Sequence, residues 1–255
     1  MMNQTLFRDL KREIKRDYGL TKKSIRFIPF EDWRKKIEGY DTQFPEEYQR
    51  NLIFLRNKMN LSQLKRINNP NKKLILFVGI PGAGKTTLSE IIQKEIQNTI
   101  LLRGHDLVDL LGLYGKNLKK YRQILRTGGF EYPDPWYISY FYQEQLTREC
   151  LNLGYNVVFD DHIRTRANRM GYYHLARACG AEIIFVQIEA PFETYVKRED
   201  GEINGKKLKF LGNMVLQTED INVEEKRKYD GIISVDGMAD IRKIRKKLIS
   251  KIRGF

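Results

Sequence analysis

The sequence is poor in cysteine and histidine, and this scarcity excludes several classes of site. Its 255 residues include two cysteines, Cys150 and Cys179, and three histidines, His105, His162 and His174. Neither set follows the spacing of a zinc module, and two cysteines are too few for a disulfide framework. We expect both cysteines to be buried, reduced thiols of a cytoplasmic protein.

Long apolar runs are missing too. No uninterrupted run approaches the roughly 18 to 20 apolar residues that cross a bilayer. Residues 1–20 mix charged and apolar positions, unlike the core of a signal peptide. The hydrophobic content is still 41%, which is enough to fill a core. The sequence therefore predicts no membrane partner, and one large domain or a domain with a smaller appendage.

Acidic residues are scarce relative to basic ones. The chain has 46 Lys and Arg against 32 Asp and Glu, a net charge of +14. Residues 1–73 hold 18 against 9, whereas residues 74–255 hold 28 against 23. This surplus favours a polyanionic partner, RNA or DNA. The alternative is that lysine-rich helices only keep the protein in solution, because charge carries no sequence-specific information.

The most informative stretch is 74–88, where five apolar residues lead into a glycine-rich turn and then a helical sequence. Gly79, Gly84, Lys85 and Thr86 fill the pattern G-x-x-x-x-G-K-[ST] of a phosphate-binding loop. The predicted nucleotide contacts are Gly79, Pro81, Gly82, Ala83, Gly84, Lys85, Thr86 and Thr87. Glycines let backbone N–H groups approach phosphate oxygens, and the following helix directs its positive dipole end to the same anion. A glycine turn without a ligand is the alternative.

The motif also assigns individual roles. Lys85 would bridge the β- and γ-phosphates of a nucleotide, and the hydroxyl of Thr86 would bind Mg²⁺. The predicted cofactors are therefore ATP and Mg²⁺.

Two parts of the chain differ in pattern. Residues 1–70 predict a basic helical extension, and residues 71–255 predict the phosphate-loop domain, with a turn cluster at 68–71 between them. Helical spacing in the extension is marked by Leu6, Leu10, Ile14, Tyr48, Leu52, Leu55 and Met59. Phe27, Phe30 and Trp33 could stack on bases, but packing against the domain is the favoured interpretation.

Acidic residues follow two further predicted strands, at 99–102 and 155–161. Asp106 is the candidate for the group that accepts the proton of an attacking hydroxyl, because ligands of open α/β sheets lie at these strand ends. Asp109 is a second candidate, and helix N-capping is an alternative role for Asp106. Asp160 is the candidate metal ligand and Asp161 a candidate substrate contact. Arg103, Arg164 and Arg169 are further candidate substrate contacts.

A polar, basic, glycine-containing stretch follows the helix predicted from Phe192. It predicts a mobile lid at about 197–212 that would bring Arg198, and with it Lys206 or Lys207, to the γ-phosphoryl group. A solvated loop without a catalytic part is the alternative.

Residues 74–236 resemble the P-loop kinases of the polynucleotide-kinase, zeta-toxin and seryl-tRNA-kinase type. The resemblance is carried by the phosphate loop, Asp106, the strand ending at Asp161 with Arg169 eight positions on, and the stretches 187–191 and 196–198. It implies that Asp106 is the general base and that Arg198 contacts the γ-phosphate. Family members commonly have arginine at the place of Asp109 and Thr-Asn at the place of 162–163, so the departures lie on the acceptor side.

These observations predict an α/β fold with a P-loop NTPase-type parallel sheet of about five strands flanked by helices. The predicted activity is transfer of the γ-phosphoryl group of ATP to a hydroxyl of a nucleic acid, at a polynucleotide 5′ end or on a tRNA-borne group. Two alternatives stay open: a zeta-toxin-like kinase of a small molecule or nucleotide sugar, and a nucleotide-dependent binding switch.

Overall fold

The computed structural model describes residues 6–20, 38–113, 115, 117–127, 135–200 and 205–255. Within these residues the chain forms one parallel sheet of five strands. The strands are β1 (Lys73–Val78), β2 (Thr99–Arg103), β3 (Asn156–Asp160), β4 (Glu182–Glu189) and β5 (Gly231–Asp236). Their order in the sheet is β2-β3-β1-β4-β5. The predicted α/β fold is confirmed.

Helices cover the sheet and connect its strands. In the described part of the chain they are α1 (Leu6–Tyr18), α2 (Tyr40–Gln43), α3 (Pro45–Lys58), α4 (Lys85–Glu95), α5 (Gly104–Leu111), α6 (Leu118–Thr127), α7 (Pro135–Asn152), α8 (Arg166–Ala178), α9 (Phe192–Asp200), α10 (Gly205–Gln217), α11 (Val223–Lys228) and α12 (Ile241–Arg253). A short 3-10 helix spans Leu61–Gln63.

The central strands are apolar because helices bury them on both faces. Every residue of β1 and β3 is buried, as are the six inner residues of β4. In register, Leu74 lies between Val157 of β3 and Ile183 of β4. Parallel sheets covered on both faces show such near-continuous apolar runs instead of alternation. All five strands therefore end at one edge, where their connecting segments meet.

The segment predicted as a lid is helical in its described parts. It comprises the end of α9 and the start of α10, while residues 201–204 lie outside the described residues. The helix α10 forms because Leu208, Leu211 and Val215 recur at helical spacing, and Leu211 and Val215 are fully buried. The side chains of Lys206 and Lys207 also lie outside the described residues.

The N-terminal helix α1 packs against α9 and α10. The amino group of Lys11 donates to the carbonyl of Thr218 at 2.7 Å. A carboxylate oxygen of Glu13 accepts from the backbone N–H of Phe192, the first residue of α9, at 3.0 Å. The ring of Tyr18 meets the ring of Phe192 edge-on at 5.2 Å. The helix α1 thus supplies an acidic cap to the start of α9.

The helix α3 packs on α5 and on the aromatic side of α7. The side-chain amide of Asn51 donates to the hydroxyls of Tyr121 and Tyr142 at 3.0 and 3.2 Å. Buried residues of α1 and α3 belong to the same hydrophobic cluster as the sheet. The predicted extension therefore packs onto the domain, whereas Phe27, Phe30 and Trp33 lie outside the described residues.

Both cysteines are buried and neither forms a disulfide. Among the described residues, no helix is long and apolar enough to span a membrane.

A buried ion pair fixes the segment that follows α10. Arg169 is completely buried, and its guanidinium donates to both carboxylate oxygens of Glu225 at 2.7 and 3.1 Å. It also donates to the carbonyls of Arg164, Glu219 and Asp220. Burial alone would raise the pKa of Glu225, but the hydrogen bonds and charge of Arg169 lower it. The predicted substrate contact at Arg169 is therefore wrong in this structure, since all its donors are used internally.

We predict that Arg169→Met lowers the free energy of unfolding by about 3 to 5 kcal/mol, because Glu225 would be left as an uncompensated buried charge. Arg166 is the matched control, since its pair with Glu224 is exposed, and Arg166→Met should cost less than about 1 kcal/mol. Urea unfolding followed by circular dichroism measures both. Combining Arg169→Met with Glu225→Leu should restore part of the stability lost by Arg169→Met. Equal losses of stability for Arg169→Met and Arg166→Met would contradict the prediction.

Candidate active site

The phosphate-binding loop connects β1 to α4 at the carboxyl edge of the sheet. Gly82 and Gly84 have φ angles of +77° and +92°, in the left-handed region that favours glycine. Gly84 is the N-cap of α4 and offers no side-chain cap to the first turn. The first N–H groups of α4 are therefore left for a ligand, and the helix dipole makes an anion the favoured one.

Lys85 lies across this loop. Its side chain is 7% exposed, and its amino group donates to the carbonyl of Ile80 at 2.9 Å and approaches that of Gly79 at 3.5 Å. A buried ammonium group beside helix N–H groups concentrates positive potential at one point. The loop and Lys85 together suit a phosphate chain.

A cavity of about 570 Å³ opens in front of the loop. It brings together residues from four parts of the chain: the loop, the ends of β2 and β3, and α9. Its lining consists of Pro81, Gly82, Gly84, Lys85, Thr86, Thr87, Arg103, His105, Asp106, Asp160, Asp161, His162 and Arg198. Most of the predicted site residues therefore line this one cavity. Gly79 and Ala83 belong to the loop but not to the lining.

Asp160 ends β3 beside the start of α4. It is buried, and one carboxylate oxygen accepts from the hydroxyl of Ser89 at 3.2 Å. The Nε atom of Arg103 lies 3.8 Å from the same oxygen, and another nitrogen of this guanidinium donates to Glu90 at 2.6 Å. Arg103 thus lies between acidic residues in the cavity wall.

Asp106 lies in the first turn of α5, with half of its side chain exposed to the cavity. Its carboxylate is 4.0 Å from the guanidinium of Arg103. The helix α5 begins at Gly104 with Arg103 as N-cap, so Asp106 does not perform the alternative capping role. Asp109 lies three residues further along α5 and is not part of the cavity lining.

Asp161, like Asp160, is a buried acidic residue of the site. One carboxylate oxygen accepts from the N–H of His162 at 2.6 Å, while the other, Oδ2, has no hydrogen-bond partner among the described residues. Burial raises the pKa of Asp161 to about 6, against the opposing effects of the His162 N–H and the Lys85 charge. The buried Oε1 of Gln143 is likewise unpaired within the described chain. The site thus has two buried acceptor atoms without a partner among the described residues, one on Asp161 in the cavity lining and one on Gln143 outside it.

Gly104 is required by the position of Asp161. A Cβ atom at Gly104 would lie 2.3 Å from Oδ2 of Asp161 and 3.5 Å from Oε1 of Gln143. Only a residue without a side chain allows the start of α5 to approach β3 this closely.

His162 is a site residue that the sequence analysis did not select. Its Nδ1 lies 3.2 Å from the carbonyl of Gly79, which fits an Nδ1–H donor. Burial and the positive charges of Lys85 and Arg164 hold the pKa of His162 well below its ordinary value. A neutral ring would therefore keep an acceptor at Nε2. Its position directly after two strand-end acids was the available signal.

Arginines at the site divide into two groups. Arg198 of α9 reaches the cavity, and its guanidinium donates to the carbonyl of Gly237 at 2.7 Å. Arg164 is 2% exposed, contacts the sulfur of Met214 and is not among the residues that line the cavity, so its substrate contact stays a prediction. Spacing from the strand end did not reveal that this guanidinium turns toward α10.

The site has the donors that a magnesium nucleotide uses. Mg²⁺ prefers oxygen ligands and keeps several waters, so one or two protein oxygens beside phosphates suffice. The hydroxyl of Thr86 and the carboxylate of Asp160 line the same cavity as the loop. Among the described residues, no group of three or more His, Cys, Asp or Glu could hold a metal by itself. The donor set thus fits a metal that arrives with a nucleotide.

Comparisons with known proteins place residues 74–201 in one family model, described as AAA domain, AAA_33. A structure of the PezAT chromosomal toxin–antitoxin system of Streptococcus pneumoniae is similar, with 20% identity, a TM-score of 0.51, and coverage of 84% of this chain and 87% of that one. A putative kinase from Chloroflexus aurantiacus has 15% identity, a TM-score of 0.52, and coverage of 72% and 97%. At these identities the two structures show a common fold. No curated protein sequence matches the chain.

We predict that Gly104→Ala lowers the free energy of unfolding by about 1 to 3 kcal/mol, because the new Cβ must displace the Asp161 carboxylate. Gly115→Ala is the matched control, since a Cβ there would meet no atom within 4 Å. Thermal and urea unfolding measure both variants. Adding Asp161→Ala to Gly104→Ala should recover part of the loss, because it removes the oxygen concerned. If the stability changes of Gly104→Ala and Asp161→Ala were simply additive, a clash with the Asp161 carboxylate would not be the reason for glycine at position 104.

Proposed function

The chain belongs to the AAA domain family AAA_33, and we propose that it is an ATP-dependent kinase that phosphorylates a hydroxyl of a nucleic acid. One observation carries the proposal: the cavity brings a phosphate-binding loop, the carboxylate of Asp106 and the guanidinium of Arg198 together. Phosphoryl transfer needs these three functions, which are a phosphate cradle, a proton acceptor and a mobile positive charge.

The nucleotide side of the reaction uses the loop. The backbone N–H groups at 82–86 and the amino group of Lys85 would hold the β- and γ-phosphates. Thr86 and Asp160 would hold Mg²⁺, which would neutralise phosphate charge. Arg198 would leave the carbonyl of Gly237 and approach the γ-phosphoryl group as its charge redistributes.

The acceptor side uses Asp106. The acceptor hydroxyl oxygen forms a bond to the γ-phosphorus, and the bond from that phosphorus to the β,γ-bridging oxygen breaks, so that ADP leaves. The hydroxyl proton passes to the carboxylate of Asp106, whose half-exposed position allows an acceptor to reach it. Arg103 and the unpaired oxygen of Asp161 are the proposed contacts to the acceptor.

A nucleic acid is the proposed acceptor because of where the charge lies. The basic extension packs onto the domain, and α3 contacts α5, whose first turn carries Asp106. A polyanion attracted to this side would arrive next to the proton acceptor.

We predict that the protein transfers label from γ-labelled ATP to a member of a panel of 5′-hydroxyl RNA, 5′-hydroxyl DNA and total tRNA. Asp106→Asn should reduce this transfer at least about 100-fold, because proton removal is lost, while ATP binding persists. Asp109→Asn, which changes a carboxylate three residues along the same helix, is the matched control and should retain activity. ATP binding is measured by isothermal titration calorimetry.

Nucleotide sugars in the same panel test the acceptor class. Label on a nucleotide sugar and on no nucleic acid would replace this proposal by a small-molecule kinase. Normal ATP binding without label on any acceptor, unchanged in Asp106→Asn, would replace it by a nucleotide-dependent switch.

A further inference from the structure

The outer face of α3 combines basic residues with an exposed aromatic ring. Arg50, Phe54 and Lys58 recur at a spacing of four residues, so they form one stripe along the helix. The ring of Phe54 is 37% exposed, and the amino group of Lys58 lies 5.9 Å from its centre. The neighbouring Ile53 is 53% exposed. The opposite face of α3 carries Asn51, Leu52 and Leu55 into the core.

The helix α6 extends this basic surface. It contains four basic residues and no acidic one. Lys120 donates to Glu47 of α3 at 2.8 Å, and Arg50 contacts the other oxygen of the same carboxylate. The single negative charge of Glu47 therefore faces the two positive charges of Lys120 and Arg50. Burial, together with the charge of Arg50, lowers the pKa of Lys120.

The remaining cations of α6 are not neutralised within the described chain. Arg122 and Arg126 are exposed, lie one turn apart, and have no ion-pair partner among the described residues. Exposed helices that only need solubility commonly pair their charges at this spacing. With four basic residues and no acidic one, α6 therefore produces a positive potential that attracts an anion.

This surface adjoins the acceptor wall of the candidate active site. The helix α3 contacts α5, and α5 places His105 and Asp106 in the cavity. A polynucleotide that follows α3 would therefore lie on a helix that packs directly against α5.

We propose that the surface formed by Arg50, Phe54, Lys58, Lys120, Arg122 and Arg126, the α3–α6 surface, binds a single-stranded segment of the acceptor polynucleotide. The cations contact phosphates, and a base stacks on the ring of Phe54. Proteins that hold single strands combine a positive surface with exposed aromatic rings in this way. The inference deepens the proposed function, on which its assignment to the acceptor rests.

The test is fluorescence anisotropy with a short labelled single-stranded RNA that carries a 5′-hydroxyl, measured without ATP on the full chain over a salt series. Phe54→Ala should weaken binding by about fivefold or more, and Phe54→Trp should restore it. Ile53→Ala is the matched control for loss of an exposed apolar side chain, and it should change affinity less than about twofold. Thermal unfolding checks that each variant is folded.

Charge reversal tests the phosphate contacts. Lys58→Glu and Arg122→Glu should each weaken binding by about tenfold and reduce the salt dependence. Lys246→Glu, on the exposed face of α12, changes the net charge equally. It should leave the affinity and the salt dependence unchanged. Equal losses for Lys58→Glu and Lys246→Glu would overturn the inference, because only overall charge would then matter. Unchanged binding by Phe54→Ala would overturn it as well.

Different results would reject the kinase proposal and the proposed binding surface. Binding that depends on Phe54 and Lys58 without any phosphoryl transfer would reject the kinase and retain the binding surface. Transfer to RNA that is insensitive to all these substitutions would retain the kinase and reject the surface.

Discussion

The structure depends on one constraint, the burial of the parallel strands β1, β3 and β4 between two layers of helices. Because neighbouring strands run in the same direction, each connection must cross the sheet and return through a helix. The carboxyl ends of all strands consequently meet at one edge. The phosphate loop, the acids after β2 and β3, and the helix that carries Arg198 are distant in sequence, yet this constraint brings them to one cavity.

A second level of organisation comes from the N-terminal extension. The helix α1 accepts the first N–H of α9 through Glu13 and binds the end of α10 through Lys11. It thereby links the two helices between which the predicted lid lies, although α1 precedes the part of the chain that the family model matches. Apolar residues of α1 and α3 share the core of the sheet, although neither helix lines the cavity itself.

The strands and the loop could be predicted from the sequence because their signals are local. Apolar runs identify strands buried on both faces, and the loop pattern fixes its own geometry. The positions of Arg164 and Arg169 could not be predicted. The partner of Arg169 is Glu225, 56 residues away, and no spacing rule connects them. The need for glycine at position 104 could not be predicted either, because it depends on the close approach of Asp161, which directly follows β3. The lid was predicted from polar composition, whereas the apolar spacing of Leu208, Leu211 and Val215 determines a helix.

The two halves of the site are built on different principles. The nucleotide half uses backbone groups and one lysine, so it can be recognised from a short motif. The other half is formed by the ends of β2 and β3 and the start of α5, which no single short motif identifies. Of the two residues that depart from the kinase pattern, His162 lines the cavity and donates its backbone N–H to Asp161, whereas Asp109 lies outside the lining. Nucleotide binding needs only the first half. The second half has to be described from burial, hydrogen bonding and charge, because no short sequence pattern identifies it.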